Sequence, residues 1–368
     1  MKLAIYIHSL CTGGAERVAF HLANFWSRSG FEVIIITNQS HEEYPYPIDS
    51  QVKQINLDAH GYNQSKFKGI IDNIKRCHRL RKSIVSHEAE VVLSMGFTAN
   101  VTLAFALFGL QVKTVGSERN YPAFDADGVH WHFLRKYSYR WLDTVVVQTE
   151  KAKEWIQSNT NAKKVEVLPN PVVFPLASQP PIVEPYPKFR CKILLGVGRL
   201  QPQKQFDHLI TAFSALAQDK PEWHLVIVGE GEQRACLGQS AKKLLLSDRI
   251  HFPGKVGNIA DWYRHSDAFA LTSKYEGFPN VLIEAMSHGL PVVSYDCDAG
   301  PSDVIESGVN GLLVKPDDIE VLIESLSLVM NDQDLRKKLG CNALRVKSTY
   351  GTGLVCDHWT SVVVPNSN

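Results

Sequence analysis

No apolar run in the 368-residue sequence reaches the ~20 residues that span a bilayer. The opening stretch Met1–His8 reads as a short strand, too brief for a signal peptide. The seven cysteines (11, 77, 191, 236, 297, 341, 356) are scattered, odd in number and form no C-x-x-C. A disulfide framework is therefore excluded, and a reducing cytosol is expected. A net charge of +1 leaves no surplus that would draw the chain to nucleic acid. The dinucleotide fingerprint G-x-G-x-x-G is absent, which argues against an oxidoreductase. No D-x-D or His/Asp cluster is read as supporting a metal-held diphosphate, so neither metal nor cofactor is expected.

What is present is ordinary globular material. The apolar content of 44% and charged content of 21% suit packed cores, and the length suits two domains. Strand and helix patterns alternate through the first half, with strands at 2–8, 31–37, 91–94, 113–117, 144–149 and 165–168. Such alternation predicts a parallel, doubly wound sheet. Residues 41–65, with Pro45 and Pro47, read as a surface excursion. Gly13-Gly14 lies at the first strand–helix turn, where open α/β sheets take ligands; the pair equally suits a plain tight turn. The segment Glu118-Arg119-Asn120 follows another strand end. A helix at 66–88 mixes Lys66, Lys68, Lys75, Arg76, Arg79, Arg81 and Lys82 with Phe67, Ile70, Ile71, Ile74 and Leu80. Residues 131–141 repeat the basic and aromatic mixture. Either segment fits an anionic leaflet or a solvated face packed on its own sheet.

Six prolines between 171 and 188 suggest a linker, after which the alternation restarts. We expect an N-terminal domain at 1–172, a linker at 173–189, a second domain at 190–345 and a segment at 346–368 that crosses back. Polar groups follow four strands of the second domain: Gly198-Arg199 with Lys204, Gly229-Glu-Gly231, Lys274 to Glu276, and Asp298-Ala-Gly300. Strand ends in a parallel sheet face one way, so these groups can line one crevice. Arg199 and Lys204 suit a diphosphate, or are simply surface cations. The stretch Glu276-Gly-Phe-Pro279-Asn280-Val-Leu-Ile-Glu284 reads as a loop entering a helix, with free N–H groups at its start. Two acids and two cations fit a nucleotide sugar better than a metal cluster.

Gly13-Gly14-Ala-Glu16, Gly198-Arg199-Leu-x3-Lys204, Gly229-Glu-Gly231, Glu276-Gly-Phe-Pro-x4-Glu284-Ala and Gly300-Pro together resemble the family 4 (group 1) glycosyltransferases. The resemblance implies a GT-B fold of two facing Rossmann-like domains with a cleft, and retaining transfer from a nucleotide-diphosphate sugar, a UDP-sugar most of all. The acceptor it implies is a glycan or lipid-linked saccharide in polysaccharide, lipopolysaccharide or glycan assembly. Arg199 and Lys204 would hold the diphosphate. Glu284 would bind the ribose, and Glu276 with the amides of Gly277 and Phe278 the sugar. Gly14 would approach the diphosphate, and Val256 with Gly229 to Gly231 would border the base. Residues 66–82 would touch the inner leaflet of a cytoplasmic membrane. Many relatives carry a histidine where this chain has Ser117-Glu118-Arg119-Asn120, and Arg119, permanently charged, cannot act as a base. A GT-B-fold epimerase and a non-catalytic nucleotide-sugar sensor are the alternatives.

Overall fold

A computed structural model describes all residues except 11–12, 40–47, 60–65, 125–128, 186–190 and 365–368. The chain divides into two α/β units. Unit 1 comprises Met1–Pro171 and Thr352–Asn368, and unit 2 comprises Val172–Gly351.

In unit 1 the elements are β1 (Lys2–Ile7), α1 (Gly14–Arg28), β2 (Glu32–Thr37), β3 (Lys53–Asn56), α2 (Lys66–Ser86), β4 (Val91–Met95), α3 (Phe97–Ala106), β5 (Lys113–Ser117), α4 (Val129–Ser138), β6 (Thr144–Val147), α5 (Glu150–Asn159) and β7 (Val165–Val167). The seven strands are parallel in the order β3-β2-β1-β4-β5-β6-β7. Central strands such as β1 (KLAIYI) are buried along nearly their whole length. That is why they read as continuous apolar runs, for helices cover both faces of a parallel sheet. Leu3, Ile5 and Ile7 pack under α1, and Ala4 and Tyr6 under α2 and α3.

Unit 2 contains β8 (Lys192–Val197), α6 (Phe206–Leu216), β9 (Trp223–Val228), α7 (Arg234–Lys243), β10 (Ile250–Gly254), α8 (Ile259–His265), β11 (Ala268–Leu271), α9 (Asn280–Ser287), β12 (Val292–Tyr295), α10 (Pro301–Val304), β13 (Leu312–Val314), α11 (Ile319–Asn331), α12 (Gln333–Ala343) and α13 (Val346–Thr349). Its six parallel strands run β10-β9-β8-β11-β12-β13. The α6, α7 and α11 side chains fill one face and those of α8 and α9 the other.

Three boundaries differ from the expected ones. The excursion at 41–65 contains the edge strand β3, which is short and half exposed, so it carries little apolar signal; residues 41–47 and 60–65 lie outside the described residues. The described part of the proline-rich stretch is anchored on unit 2. Gln179 N donates to Gly257 O at 3.0 Å, and Gly257 N donates to Pro181 O at 2.7 Å. Gly257 must be glycine there, since a Cβ would stand 1.6 Å from Gln179 O. Finally, the return to unit 1 is abrupt. Val172 bridges Gly351, and the next residues form α14 (Thr352–Val363). This helix buries Val355, Cys356, Trp359 and Val363 in the core of unit 1. Trp26 Nε1 donates to Thr360 Oγ1 at 2.8 Å.

Candidate active site

Strand order reverses in unit 2 between β8 and β11, which are neighbours but lead to helices on opposite sides of the sheet. Loops leaving such a pair diverge and open a crevice at the carboxyl ends. The loop after β8 carries Gly198, exposed Arg199 and a 3₁₀ turn, Pro202–Lys204. The loop after β11 carries Lys274 to Pro279. Here Lys204 Nζ lies 2.6 Å from Glu276 Oε1, the two side chains 13% and 9% exposed. A charge pair this far from water is held by its geometry more than it stabilises the fold, because desolvation offsets much of the attraction. Gly198 lies under the Lys204 stem, and a Cβ there would come within 3.2 Å of Cε. Arg199 makes no ion pair among the described residues.

Glu284 sits one turn into α9 and is 5% exposed. Its Oε2 accepts a hydrogen bond from the hydroxyl of fully buried Tyr263 at 3.1 Å. Pro279 takes the cap position of α9, and Asn280 begins the helix. Gly289, at φ +78°, ends the turn that follows, as expected of a glycine stop. The amides of Gly277 and Phe278 make no hydrogen bond among the described residues. The Phe278 ring, however, is part of the core, edge-on to Tyr350 at 5.7 Å. Nothing in the sequence singled out Tyr263, which lies on a different helix from Glu284.

Gly229 and Gly231 each lie against backbone of the loop after β8. A Cβ on Gly229 would stand 1.9 Å from Gly198 O, and one on Gly231 2.4 Å from Leu200 O. Their absent side chains let the loop after β9 press against the loop after β8. Leu200 N donates to Glu230 O at 2.9 Å across that seam. Val256, half-buried, packs on the α8–α9 side of the core.

In unit 1, Gly13 precedes α1 in extended conformation, and Gly14 starts the helix. A Cβ on Gly13 would lie 2.2 Å from Glu16 Oε2, so this glycine makes room for a carboxylate folded back over the helix start. Glu118, a candidate ligand residue, is buried in a polar network of unit 1. At 2% exposure it pairs with Arg135 Nε at 3.1 Å and accepts the Tyr139 hydroxyl. Asn100 donates to that hydroxyl at 3.1 Å, and Ser94 donates to Asn100 Oδ1 at 2.7 Å. Arg135 thereby leaves the surface cations expected at 131–141. Arg119, by contrast, stays at the strand end and donates to Asn170 Oδ1 at 2.6 Å. Burial pushes its guanidinium down to about 10, against the pull of Glu16. Asn120 is exposed.

The sequence holds three D-x-D triplets that the metal expectation overlooked: Asp125-Ala-Asp127, Asp296-Cys-Asp298 and Asp332-Gln-Asp334. The first lies outside the described residues, and Asp332 caps α12. Among the described residues no three His, Cys, Asp or Glu side chains are grouped to hold a metal. A cavity of about 670 Å³ lined by Phe108, Lys113, Trp141 and Lys163 lies at the amino ends of β5 and β6, away from these loops.

The model of the glycosyl transferases group 1 matches residues 187–346, and that of glycosyltransferase family 4 matches residues 12–173. The chain belongs to the family 4, group 1 glycosyltransferases. Among relatives, the glycosyltransferase is 29% identical to an α-1,4-N-acetyl-D-galactosaminyltransferase of Campylobacter jejuni, whose named substrate is GalNAc-α-(1→4)-GalNAc-α-(1→3)-diNAcBac-PP-undecaprenol. That match covers 100% of this chain and 99% of the other. It is 28% identical to the amylovoran biosynthesis glycosyltransferase AmsD of Erwinia amylovora, over 98% and 99% of the two chains. The structure of Anabaena HepE in complex with UDP superposes with a TM-score of 0.78 at 20% identity, covering 98% of this chain and 99% of that one. The fold of this glycosyltransferase is GT-B.

Proposed function

We propose that the protein is a retaining glycosyltransferase that moves a sugar from a nucleotide-diphosphate sugar, a UDP-sugar foremost, to a lipid-linked or polysaccharide acceptor without a metal. The observation that carries this reading is the Lys204–Glu276 pair at the strand-order reversal, with Glu284 presented on the adjoining helix. HepE was solved with UDP, and the names of the Campylobacter and Erwinia relatives point to lipid-linked and polysaccharide products. In this reading Lys204 and Arg199 meet the diphosphate and stabilise the charge that grows on it as it leaves. Glu276 and the amides of Gly277 and Phe278 hold the sugar, and Glu284 binds the ribose. The C–O bond to the diphosphate breaks, an acceptor hydroxyl attacks the same face, and its proton passes to the departing phosphate oxygen. No protein nucleophile is required.

Acceptor chemistry suggests a leaflet contact on the cytoplasmic side. On α2, Ile70, Ile71 and Ile74 are 59%, 51% and 64% exposed beside exposed Lys75 and Lys82, while Leu80 and Ile84 face the core. Arg79 and Arg81 are occupied with backbone carbonyls; the side chains at 66–68 lie outside the described residues. Vesicles with anionic lipid should retain the wild type and lose an Ile70→Ser/Ile74→Ser variant.

The deciding experiment supplies UDP-glucose, UDP-galactose and UDP-N-acetylgalactosamine with and without an undecaprenyl-diphosphate saccharide. Transfer with retained anomeric configuration, unaffected by EDTA, supports the reading. Isomerised donor without need of acceptor favours an epimerase, and binding without turnover a sensor.

A further inference from the structure

Two non-glycine residues of unit 2 with left-handed backbones are bonded to each other. Gln205 (φ +45°) immediately follows Lys204, and Asp317 (φ +64°) precedes the cap of α11. Gln205 Nε2 donates to Asp317 Oδ1 at 2.7 Å. Side chains other than glycine occupy this region only where the surroundings over-determine them, and such residues concentrate at functional sites.

The surroundings here grip the turn Gln203-Lys204-Gln205 from two sides. On one side Gln203 Nε2 donates to Tyr275 O at 2.7 Å, and Lys274 N donates to Gln203 O at 2.8 Å. These bonds tie the turn to the loop that carries Glu276. Buried Thr272 adds its hydroxyl, 3.0 Å from both Lys204 O and Gln205 O. On the other side the Gln205–Asp317 bond ties the turn to the segment entering α11, where His208 Nδ1 also lies 3.9 Å from Asp317 Oδ1; α6 and α11 share Leu209, Phe213, Leu322 and Leu326 in one core.

We propose that Gln205, held by Asp317, is a positioning residue that fixes the direction in which Lys204 leaves the turn and so keeps its ammonium on Glu276. Lys204 is one residue away, and relaxation of Gln205 to a right-handed or extended backbone would redirect the peptide that carries it. This inference rests on the reading of Lys204 as the cation that meets the donor diphosphate. A misdirected Lys204 lowers stabilisation of the departing charge more than it lowers ground-state binding, so the effect belongs in kcat.

The test measures UDP release from whichever of UDP-glucose, UDP-galactose and UDP-N-acetylgalactosamine the wild type turns over, with UDP affinity and melting temperature alongside. Gln205→Gly keeps the left-handed backbone accessible while removing the side chain that carries the amide. Asp317→Gly removes the acceptor, and Asp317→Asn retains an Oδ1 acceptor. We expect kcat to fall about tenfold in Gln205→Gly and Asp317→Gly with KM and UDP affinity within twofold. Asp317→Asn should match the wild type. Wild-type kcat in Gln205→Gly while Lys204→Ala is inactive overturns the positioning role alone. So does a loss in Asp317→Asn equal to that in Asp317→Gly, or a loss that merely tracks the melting temperature. Full turnover in Lys204→Ala overturns the reading of the site, and this inference with it.

Discussion

Tyr263 donates a hydrogen bond of 3.1 Å to Glu284, from inside the core of unit 2 to a carboxylate on another helix. Removing one partner of a buried polar pair costs about 1–3 kcal/mol. Tyr263→Phe should therefore weaken UDP binding by roughly tenfold, 1.4 kcal/mol being one decade, while kcat changes little. Calorimetric titration with UDP reads this directly. Unchanged affinity together with a lowered melting temperature would detach Glu284 from the ribose.

Lys204→Ala and Glu284→Ala should abolish transfer without unfolding the chain. Loss of one preorganised charge-stabilising group costs about 10²–10³ in rate, so Lys204→Ala should fall by at least that much in kcat. Circular dichroism should stay that of the wild type. Near-wild-type rates in both variants would sink the assignment.

Gly229→Ala should be among the most damaging small substitutions in unit 2. Its φ of +145° suits glycine alone, and the added Cβ would stand 1.9 Å from Gly198 O. A loss of about 3 kcal/mol is expected from strain and displaced backbone together. A melting temperature within a degree of wild type would contradict the packing described.

Arg135→Met should destabilise unit 1 by about 3–5 kcal/mol, the usual cost of stranding one charge of a buried pair. The stranded group is Glu118, and the double variant Arg135→Met/Glu118→Gln should recover much of the loss. Equal denaturation midpoints for the single and double variants would count against a charge pair as the cause.

Stability should fall as pH drops from about 6.5 to about 4. Burial holds His21 on α1 down at about 4, with Arg17 adding to the effect, whereas the unfolded chain takes up this proton near 6.5. In that window the unfolded state binds more protons, so acid favours it. The full difference is lost once the pH is below both values, and His21 contributes about 3 kcal/mol of it. Burial lowers His224, His251 and His288 too, which steepens the fall. Urea midpoints at pH 7.5, 5 and 4 should decline in the wild type and decline less in His21→Leu.

Much of this was legible in the residues because buried parallel strands are written as apolar runs, as in β1 and β9. Glu276 and Glu284 were legible because a loop, a helix start and two acids occur within one stretch. Edge strand β3 was not, since half-exposed KQIN carries no such run. The burial of Glu118 was not legible for a related reason: a carboxylate at a strand end has the same spelling whether it faces solvent or Arg135, which lies 17 residues on and turns inward. Gly229 and Gly231 were seen as glycines with a purpose, yet the backbone they approach belongs to the neighbouring loop. Contacts such as Tyr263 with Glu284 and Gln205 with Asp317 join positions that no periodicity links.

The return of α14 to unit 1 bears on how the chain emerges from the ribosome. Val355, Cys356, Trp359 and Val363 complete a core whose other members are all made before Pro171. Translation proceeds at about 5–20 residues per second, so the apolar seat beneath α1, Trp26 included, waits tens of seconds while Val172–Gly351 is synthesised. Unit 2 is complete as soon as its own stretch is out, whereas unit 1 matures last although it begins first. A released chain truncated after Gly351 should therefore present a folded unit 2 and a unit 1 open to protease around α1.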